Sequence, residues 1–216
     1  MDCDVLVVGG GPVGLTFASE LALQGHRVTL VESRHGPTNH PKATLLGARS
    51  MEFYRRWGLD DAIFNAALPP DENYWIIFCT RLSGIELDRF ASPSINTVRE
   101  RPDGAEERWP ELKWSPYGKT QIGQVLLEPV LLDHARTIAN LDLRHGHKLV
   151  SFADHEDHVE AAIEKTDTGA RTTLRCRYLI GCDGGASTVR KSLGIEFGGR
   201  GAWRSNISFY FRSPSF

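Results

Sequence analysis

With 216 residues, the chain has room for one complete domain plus part of a second. Its hydrophobic fraction of 41%, charged fraction of 24% and net charge of −2 describe an ordinary globular composition, with no general attraction to nucleic acid or anionic membranes. No apolar run approaches a membrane span, no signal peptide precedes the first strand pattern, and the four cysteines form no C-x-x-C pair, so a cytoplasmic protein with reduced thiols is expected.

Residues 5–8 form a short, mostly β-branched run, the pattern of a parallel strand buried on both faces. Gly9, Gly11 and Gly14 follow at G-x-G-x-x-G spacing, and Pro12 falls where a helix starts and a missing N–H costs nothing. The spacing predicts a helix from Val13, with Val13, Phe17 and Leu21 on one stripe, Ala18 and Ala22 beside it, and Gly25 at its end. A second buried strand over 28–31 closes on Glu32. In such a unit the first glycine permits the tight turn, the second lets the backbone approach a pyrophosphate, and the third lets helix and strand pack closely. The helix N-terminus attracts the diphosphate, and the carboxylate accepts the ribose hydroxyls. Strand, glycines, helix, strand and acid in this order point to an adenine dinucleotide. A tight turn that binds nothing would leave Glu32 unexplained, and a P-loop fails because Leu15 stands where its lysine belongs.

Residues 33–42 are polar and carry Gly36, Pro37 and Pro41, which predicts a loop. Helical spacing resumes over 45–57, with Met51, Tyr54 and Trp57 facing inward and Gly58 as the stop, and a short helix follows over 59–67. Pro69, Pro70 and Asp71 mark a boundary. Strand-like alternation over 74–79, a turn at Ser83-Gly84 and a return through 85–87 predict a hairpin belonging to another sheet. Residues 91–116 read as a long polar loop whose Trp109 and Trp114 are either packing anchors or the lining of an aromatic site. Residues 124–139 form a helix that tolerates Pro129 near its start, followed by a strand over 141–144. Strands over 148–153, 159–165 and 172–176 make a meander, and a separate buried strand over 178–181 runs into Cys182-Asp183-Gly184-Gly185-Ala186-Ser187 and a second helix start. Chemically this resembles a second phosphate-facing turn in the same sheet as the first.

These residues resemble the class A flavoprotein monooxygenases, the family of p-hydroxybenzoate and phenol hydroxylases. Three motifs carry the resemblance: Gly9 to Gly14 with Glu32; Arg49 in Gly47-Ala-Arg-Ser-Met-Glu followed by a Gln-x-x-x-Glu helix at Gln124 and Glu128; and Asp183-Gly184 with Ser187 and Arg190. The resemblance implies an α/β fold: a Rossmann-like βαβ FAD-binding domain with a β-meander over 1–70 and 118–195. It adds part of an α+β substrate domain over 71–117 and 196–216, with the C-terminal portion of the family fold missing. It implies FAD as cofactor, with Glu32 on the adenosine ribose, Arg49 and Gln124 on the flavin nucleotide, Asp183 by the diphosphate and Arg190 near the approach of the nicotinamide. The full implied cofactor set is Gly9, Gly11, Pro12, Val13, Gly14, Glu32, Ser33, Arg34, Arg49, Gln124, Val150, Asp183, Gly184 and Arg190, with Leu149 beside Val150 at the adenine. The implied activity is hydroxylation of a small, phenol-like aromatic substrate with NAD(P)H and O₂ through a flavin hydroperoxide. The flavin carries the chemistry, so neither a catalytic triad nor a metal is expected.

The family's Gly-Asp motif, whose aspartate holds the flavin ribityl chain, has no counterpart after Ser187, and the sequence stops within a strand pattern starting at Asn206 with Ile207, Phe209 and Phe211. The expectation is weakened FAD binding, little hydroxylation by these residues alone, and an apolar edge that calls for self-association or the missing half. A non-catalytic FAD-binding remnant, or a reductase or halogenase of the same fold, is the alternative; the halogenase's Gly-Trp-x-Trp-x-Ile-Pro signature is absent. Gly198-Gly199-Arg200-Gly201 lacks a leading strand and is no second fingerprint. His155, His158, His145 and His147 read as solvated histidines, Cys182 as a small buried hydrophobe, and residues 99–108 as a solvated loop.

Overall fold

The first strand, β1 (Cys3–Val8), enters the turn and helix α1 (Pro12–Leu23), and β2 (Val28–Glu32) returns beside it. The structure is a computed structural model that describes residues 1–201, 205, 207, 209–211, 213 and 214. Next come β3 (Leu45–Leu46), α2 (Ala48–Arg56), α3 (Asp60–Ala66), β4 (Tyr74–Cys79) and β5 (Glu86–Ser92). They are followed by α4 (Ile95–Glu100), α5 (Ala105–Arg108), a 3₁₀ turn at Pro110–Lys113, β6 (Thr120–Gln121) and α6 (Gln124–Arg136). The last elements are β7 (Leu141–His145), β8 (His147–Asp154), β9 (Val159–Lys165), β10 (Arg171–Gly181) and α7 (Thr188–Ser192).

One six-stranded sheet, in the order β7-β2-β1-β10-β9-β8, organises the chain. The first four of these are parallel neighbours, while β10-β9-β8 form an antiparallel meander. Val5, Val7, Val28 and Leu30 pack one face against Leu15, Ala18 and Ala22 of α1 and Leu127, Leu131 and Ala135 of α6. On the other face Leu6, Val8 and Val31 join Leu149, Val159, Ala161, Ile163, Leu174 and Val189. Both faces of β1 and β2 are therefore covered, as their unbroken apolar runs require. Among the described residues, no helix is long and apolar enough to cross a membrane.

Several local expectations change. On α1 the buried stripe is Gly14, Leu15, Ala18 and Ala22, whereas Val13 and Phe17 are 70% and 41% exposed. Close approach of helix to sheet at Gly14, Ala18 and Ala22 leaves Leu15 to fill the contact and puts Val13 and Phe17 on the outer face. Leu45 and Leu46 do not begin a helix; they pair with Gln121 and Thr120, and α2 starts after Gly47. Met51 and Tyr54 are buried as expected, and Gly58 adopts the left-handed conformation (φ 72°) that ends the helix. Trp57 is half-buried, stacked on His134 at 5.1 Å and donating its indole N–H to Glu20.

The hairpin β4–β5 is a sheet of its own. The stretch 91–116 is not a structureless loop: it folds into α4, α5 and the 3₁₀ turn around Val98, Ala105 and Leu112. Ser94 caps α4 by accepting the Thr97 N–H at 3.1 Å. Trp109 packs on this cluster and donates to the Ala91 carbonyl, while Trp114 is 82% exposed. The third meander strand and the supposed separate strand over 178–181 are one strand, β10. Its first half pairs with β9 and its second half with β1, and the handover falls at Cys176, which is in register with both Val159 and Cys3. Of the strand expected from Asn206, that residue lies outside the described residues, and Ile207, Phe209 and Phe211 are exposed without strand structure.

Candidate functional site

β1 ends at Val8, and the chain must turn at once to start α1. Gly9 does so at φ +108°, and a Cβ there would lie 2.6 Å from the Cys182 carbonyl carbon. A Cβ on Gly14 would fall on the Gly9 carbonyl oxygen, so the start of α1 lies against the turn with no room for a side chain. Gly10, between the motif positions, is also required, because its Cβ would lie 2.7 Å from that of Glu32. Gly11 differs. Its φ of −75° suits any residue, and the nearest protein atom to its added Cβ is a Glu128 carboxylate oxygen at 3.9 Å. Packing explains Gly9 and Gly14 but not Gly11, whose missing side chain leaves open space over the cleft.

That cleft measures about 650 Å³ and runs along the ends of β1, β2 and β10. Of the expected residues, Gly9, Gly11, Pro12, Val13, Glu32 and Ser33 line it, as do Arg34, Gln124, Asp183 and Gly184. Gly14 lies just beneath, at the start of α1. This helix has no acidic residue in its first turn, so the Val13 and Gly14 N–H groups and the positive dipole end are not neutralised from within the helix.

Glu32 is 7% exposed. Its Oε2 accepts the Gly10 N–H at 2.6 Å, and its Oε1 accepts the Arg34 N–H at 2.9 Å, the Arg34 Nε–H at 3.0 Å and the Ser33 hydroxyl at 3.2 Å. Burial pushes this carboxyl up, but the hydrogen bonds from Arg34 and Gly10 together outweigh it and hold Glu32 below the usual glutamate range. The group is an anion, and Oε2 keeps acceptor capacity.

A second carboxylate, Glu128 of α6, is 1% exposed. It accepts the Thr38 N–H at 2.5 Å, the Gln124 side-chain amide at 2.6 Å and Arg34 Nη1 at 3.4 Å. Gln124 also exchanges hydrogen bonds with the Ala43 backbone, so the first turn of α6 holds the loop 33–43 in place. The motif included Glu128 but assigned it no role; a charged residue inside an apolar helix pattern was the available signal. Gly10, Lys42 and His147 were likewise missed, and the last two line the cleft.

Three expected residues lie elsewhere. Arg49 is 79% exposed at the start of α2, paired with Glu52 at 2.7 Å and set over Phe53 at 4.9 Å. Val150 sits in the register shift between Leu149 and Ser151, which leaves Leu149 to line the cleft. Arg190 donates to the Ile195 carbonyl and lies 4.2 Å over the Phe197 ring. Asp183, although in the cleft wall, turns its carboxylate to the start of α7: Ser187 donates to Oδ1 at 2.6 Å, and the Thr188 and Val189 N–H groups donate to Oδ2 at 2.6 and 3.3 Å. The Asp183 carboxylate therefore caps its own helix, while Gly184, Gly185, Ala186 and Thr188 of the same turn line the cleft. Burial pushes the neighbouring Cys182 thiol up and Asp183 adds to the effect, which keeps it protonated.

Outside the cleft, His155, His158 and Glu160 bring ligand-type atoms within 4.8 Å of one another. The group is occupied by an ion-pair ladder. Asp157 lies 2.6 Å from His158 Nδ1, His158 Nε2 lies 3.6 Å from Glu160, and Arg175 holds Glu160 at 2.7 Å.

A family model described as FAD binding domain matches residues 2–215. A putative polyketide hydroxylase of Streptomyces coelicolor is 35% identical over 209 residues, covering 97% of this chain and 31% of that protein. Tetracenomycin B2 monooxygenase-dioxygenase of Streptomyces olivaceus is 34% identical over 228 residues, covering 99% of this chain and 40% of that protein. The crystal structure of the flavin-dependent monooxygenase PieE in complex with FAD and substrate superposes with a TM-score of 0.77 at 34% identity, covering 90% of this chain and 32% of that one. The chain thus spans between about a third and two fifths of the length of these proteins.

Proposed function

The chain belongs to the FAD binding domain family, and from that premise we propose that its cleft holds FAD and serves the hydroxylation of an aromatic substrate with NAD(P)H and O₂. The observation that carries this reading is Gly11. The fingerprint turn has one glycine that packing does not demand, and it opens onto the cleft beside the unneutralised start of α1. In the proposed arrangement Gly9 and Gly14 shape the turn, and the backbone of Gly11, Pro12 and Val13 faces the diphosphate. Glu32 accepts the adenosine ribose hydroxyls, with Ser33 and Arg34 orienting it. Gln124 with the Asp183–Gly184 turn walls the path toward the flavin. FAD, when bound, supplies electron transfer from NAD(P)H to O₂ and oxygen delivery to an electron-rich ring. The chain's own contribution is to bind and orient. Arg49, Val150 and Arg190 do not line the cleft and carry no part of this proposal.

Residues 1–70 and 118–195 are proposed as the cofactor-binding unit, and 71–117 with 196–216 as part of a substrate-facing unit. The hairpin β4–β5 exposes apolar side chains on both faces, with Ile76, Ile77, Phe78, Leu87 and Phe90 each at least 45% exposed, which supports self-association or cover by further protein. The named relatives make an aromatic polyketide the preferred substrate class over a simple phenol. The test is NAD(P)H oxidation by the FAD-loaded protein with and without an aromatic polyketide, followed by mass analysis. The reading expects a product heavier by one oxygen atom, and oxidation without such a product contradicts it.

A further inference from the structure

Dinucleotide sites of this type distinguish two kinds of adenosine at the end of the second strand. A carboxylate accepts a bare ribose, whereas a guanidinium accepts a ribose carrying a 2′-phosphate. This chain places both groups there, with Arg34 Nε 3.0 Å from Glu32 Oε1 and both side chains lining the cleft. We propose that Glu128 is the positioning residue that decides between them. It draws the Arg34 guanidinium away from the ribose toward the start of α6, so that the cleft offers the Glu32 carboxylate and rejects 2′-phosphorylated adenosine. The inference rests on the reading of the cleft as an adenine dinucleotide site.

Glu128 is buried on α6 between Leu127 and the Leu131–Leu132 pair in sequence, but its carboxylate is surrounded by donors from Thr38, Gln124 and Arg34, which offset the cost of burying its charge. The Thr38 backbone and the Gln124 side chain fix its carboxylate at 2.5 and 2.6 Å, the second from the first turn of α6 itself. Arg34 is the adaptable partner: its side chain is 36% exposed, with Nε on Glu32 and Nη1 3.4 Å from Glu128. Its fork is thus spread across two carboxylates, one of them wholly buried and little screened by water. With Glu128 replaced by glutamine, the α6 side would hold Nη1 through a neutral carbonyl oxygen at most, and the guanidinium could turn to a 2′-phosphate.

The test uses the whole chain and two ligands that differ only at the 2′ position, ADP-ribose and 2′-phospho-ADP-ribose, titrated calorimetrically. The wild type is expected to prefer ADP-ribose, and Glu128→Gln to reduce that preference about tenfold. Glu128→Leu, which fills the same space, serves as a second variant and moves the ratio in the same direction. Adding Arg34→Met to Glu128→Gln restores the wild-type ratio, because the effect runs through the guanidinium. A purely structural role would weaken both ligands alike, so an unchanged ratio overturns the proposal. A ratio that stays shifted in the double variant overturns it too. If the wild type bound neither ligand, the dinucleotide reading would fall first and this inference with it.

Discussion

Replacing Gly11 with alanine separates what the fold needs from what the cofactor needs. At φ −75° and ψ −178° the backbone accommodates alanine without strain, and the new Cβ meets no protein atom closer than 3.9 Å. Losing glycine at the start of α1 costs about 0.5–1 kcal/mol. The less flexible unfolded chain returns about 0.4–1 kcal/mol, so net stability should change by no more than about 0.5 kcal/mol. Binding should respond differently. A methyl group between the turn and an approaching diphosphate removes about one charge-assisted hydrogen bond, some 1.5–3 kcal/mol. That raises the FAD Kd about ten- to hundredfold. Gly14→Ala provides the contrast, because its Cβ would collide with the Gly9 carbonyl and lie 3.3 Å from Cys182 Cβ, an overpacking cost of about 1–3 kcal/mol or more. Thermal denaturation of the cofactor-free variants and FAD titration by quenching of flavin fluorescence give the two readouts. FAD binding of wild-type strength by Gly11→Ala would show that Gly11 does not face the diphosphate, and a loss of melting temperature as large as that of Gly14→Ala would show that packing needs it.

Glu32→Ala should weaken FAD binding by about 1.5–3 kcal/mol, measured by the same titration, and undiminished flavin content would remove the carboxylate from the ribose. Because the folded state holds Glu32 below its ordinary value of 4.5, the stability it contributes is fully present above that value and fades as pH falls through and below it. Glu32→Gln should therefore flatten the acid limb of a pH–stability curve below about pH 4.5 relative to wild type, and parallel curves would show that the shift does not exist. Arg190→Ala should leave the FAD Kd unchanged while speeding proteolysis around 193–198, because the structure ties its guanidinium to Ile195 and Phe197. A large loss of FAD affinity would instead place that side chain in the cleft.

The parts of the fold that were legible in the sequence are those whose cause is local. The glycines after 5–8, Pro12 at the start of α1 and Glu32 at the end of β2 are each dictated by backbone geometry within a few residues, and the structure brings them to one cleft. What escaped depends on partners far along the chain. Leu45–Leu46 is a strand only because Thr120–Gln121 lies beside it. β10 reads as two strands because its burial pattern changes where its neighbours change from β9 to β1. Glu128 looks like an ordinary helix acid until Thr38, 90 residues away, donates to it. Arg49 and Arg190 show the reverse limit: motif position located their backbones, but nearby Glu52, Phe53, Ile195 and Phe197 determine where the side chains go. Of the expected α1 stripe, Leu21 packs against the core while Val13 and Phe17 face out, since spacing alone cannot say which of two adjacent helix faces meets the sheet.

We propose that this cleft recognises FAD through its adenosine diphosphate half. Titrating the purified chain with FAD and, separately, with FMN tests it most directly, because the two share the flavin and differ in the adenosine monophosphate portion. Saturable one-to-one binding of FAD is expected, with FMN bound far more weakly or not at all. Equal affinity for the two, or no binding of FAD, would contradict it.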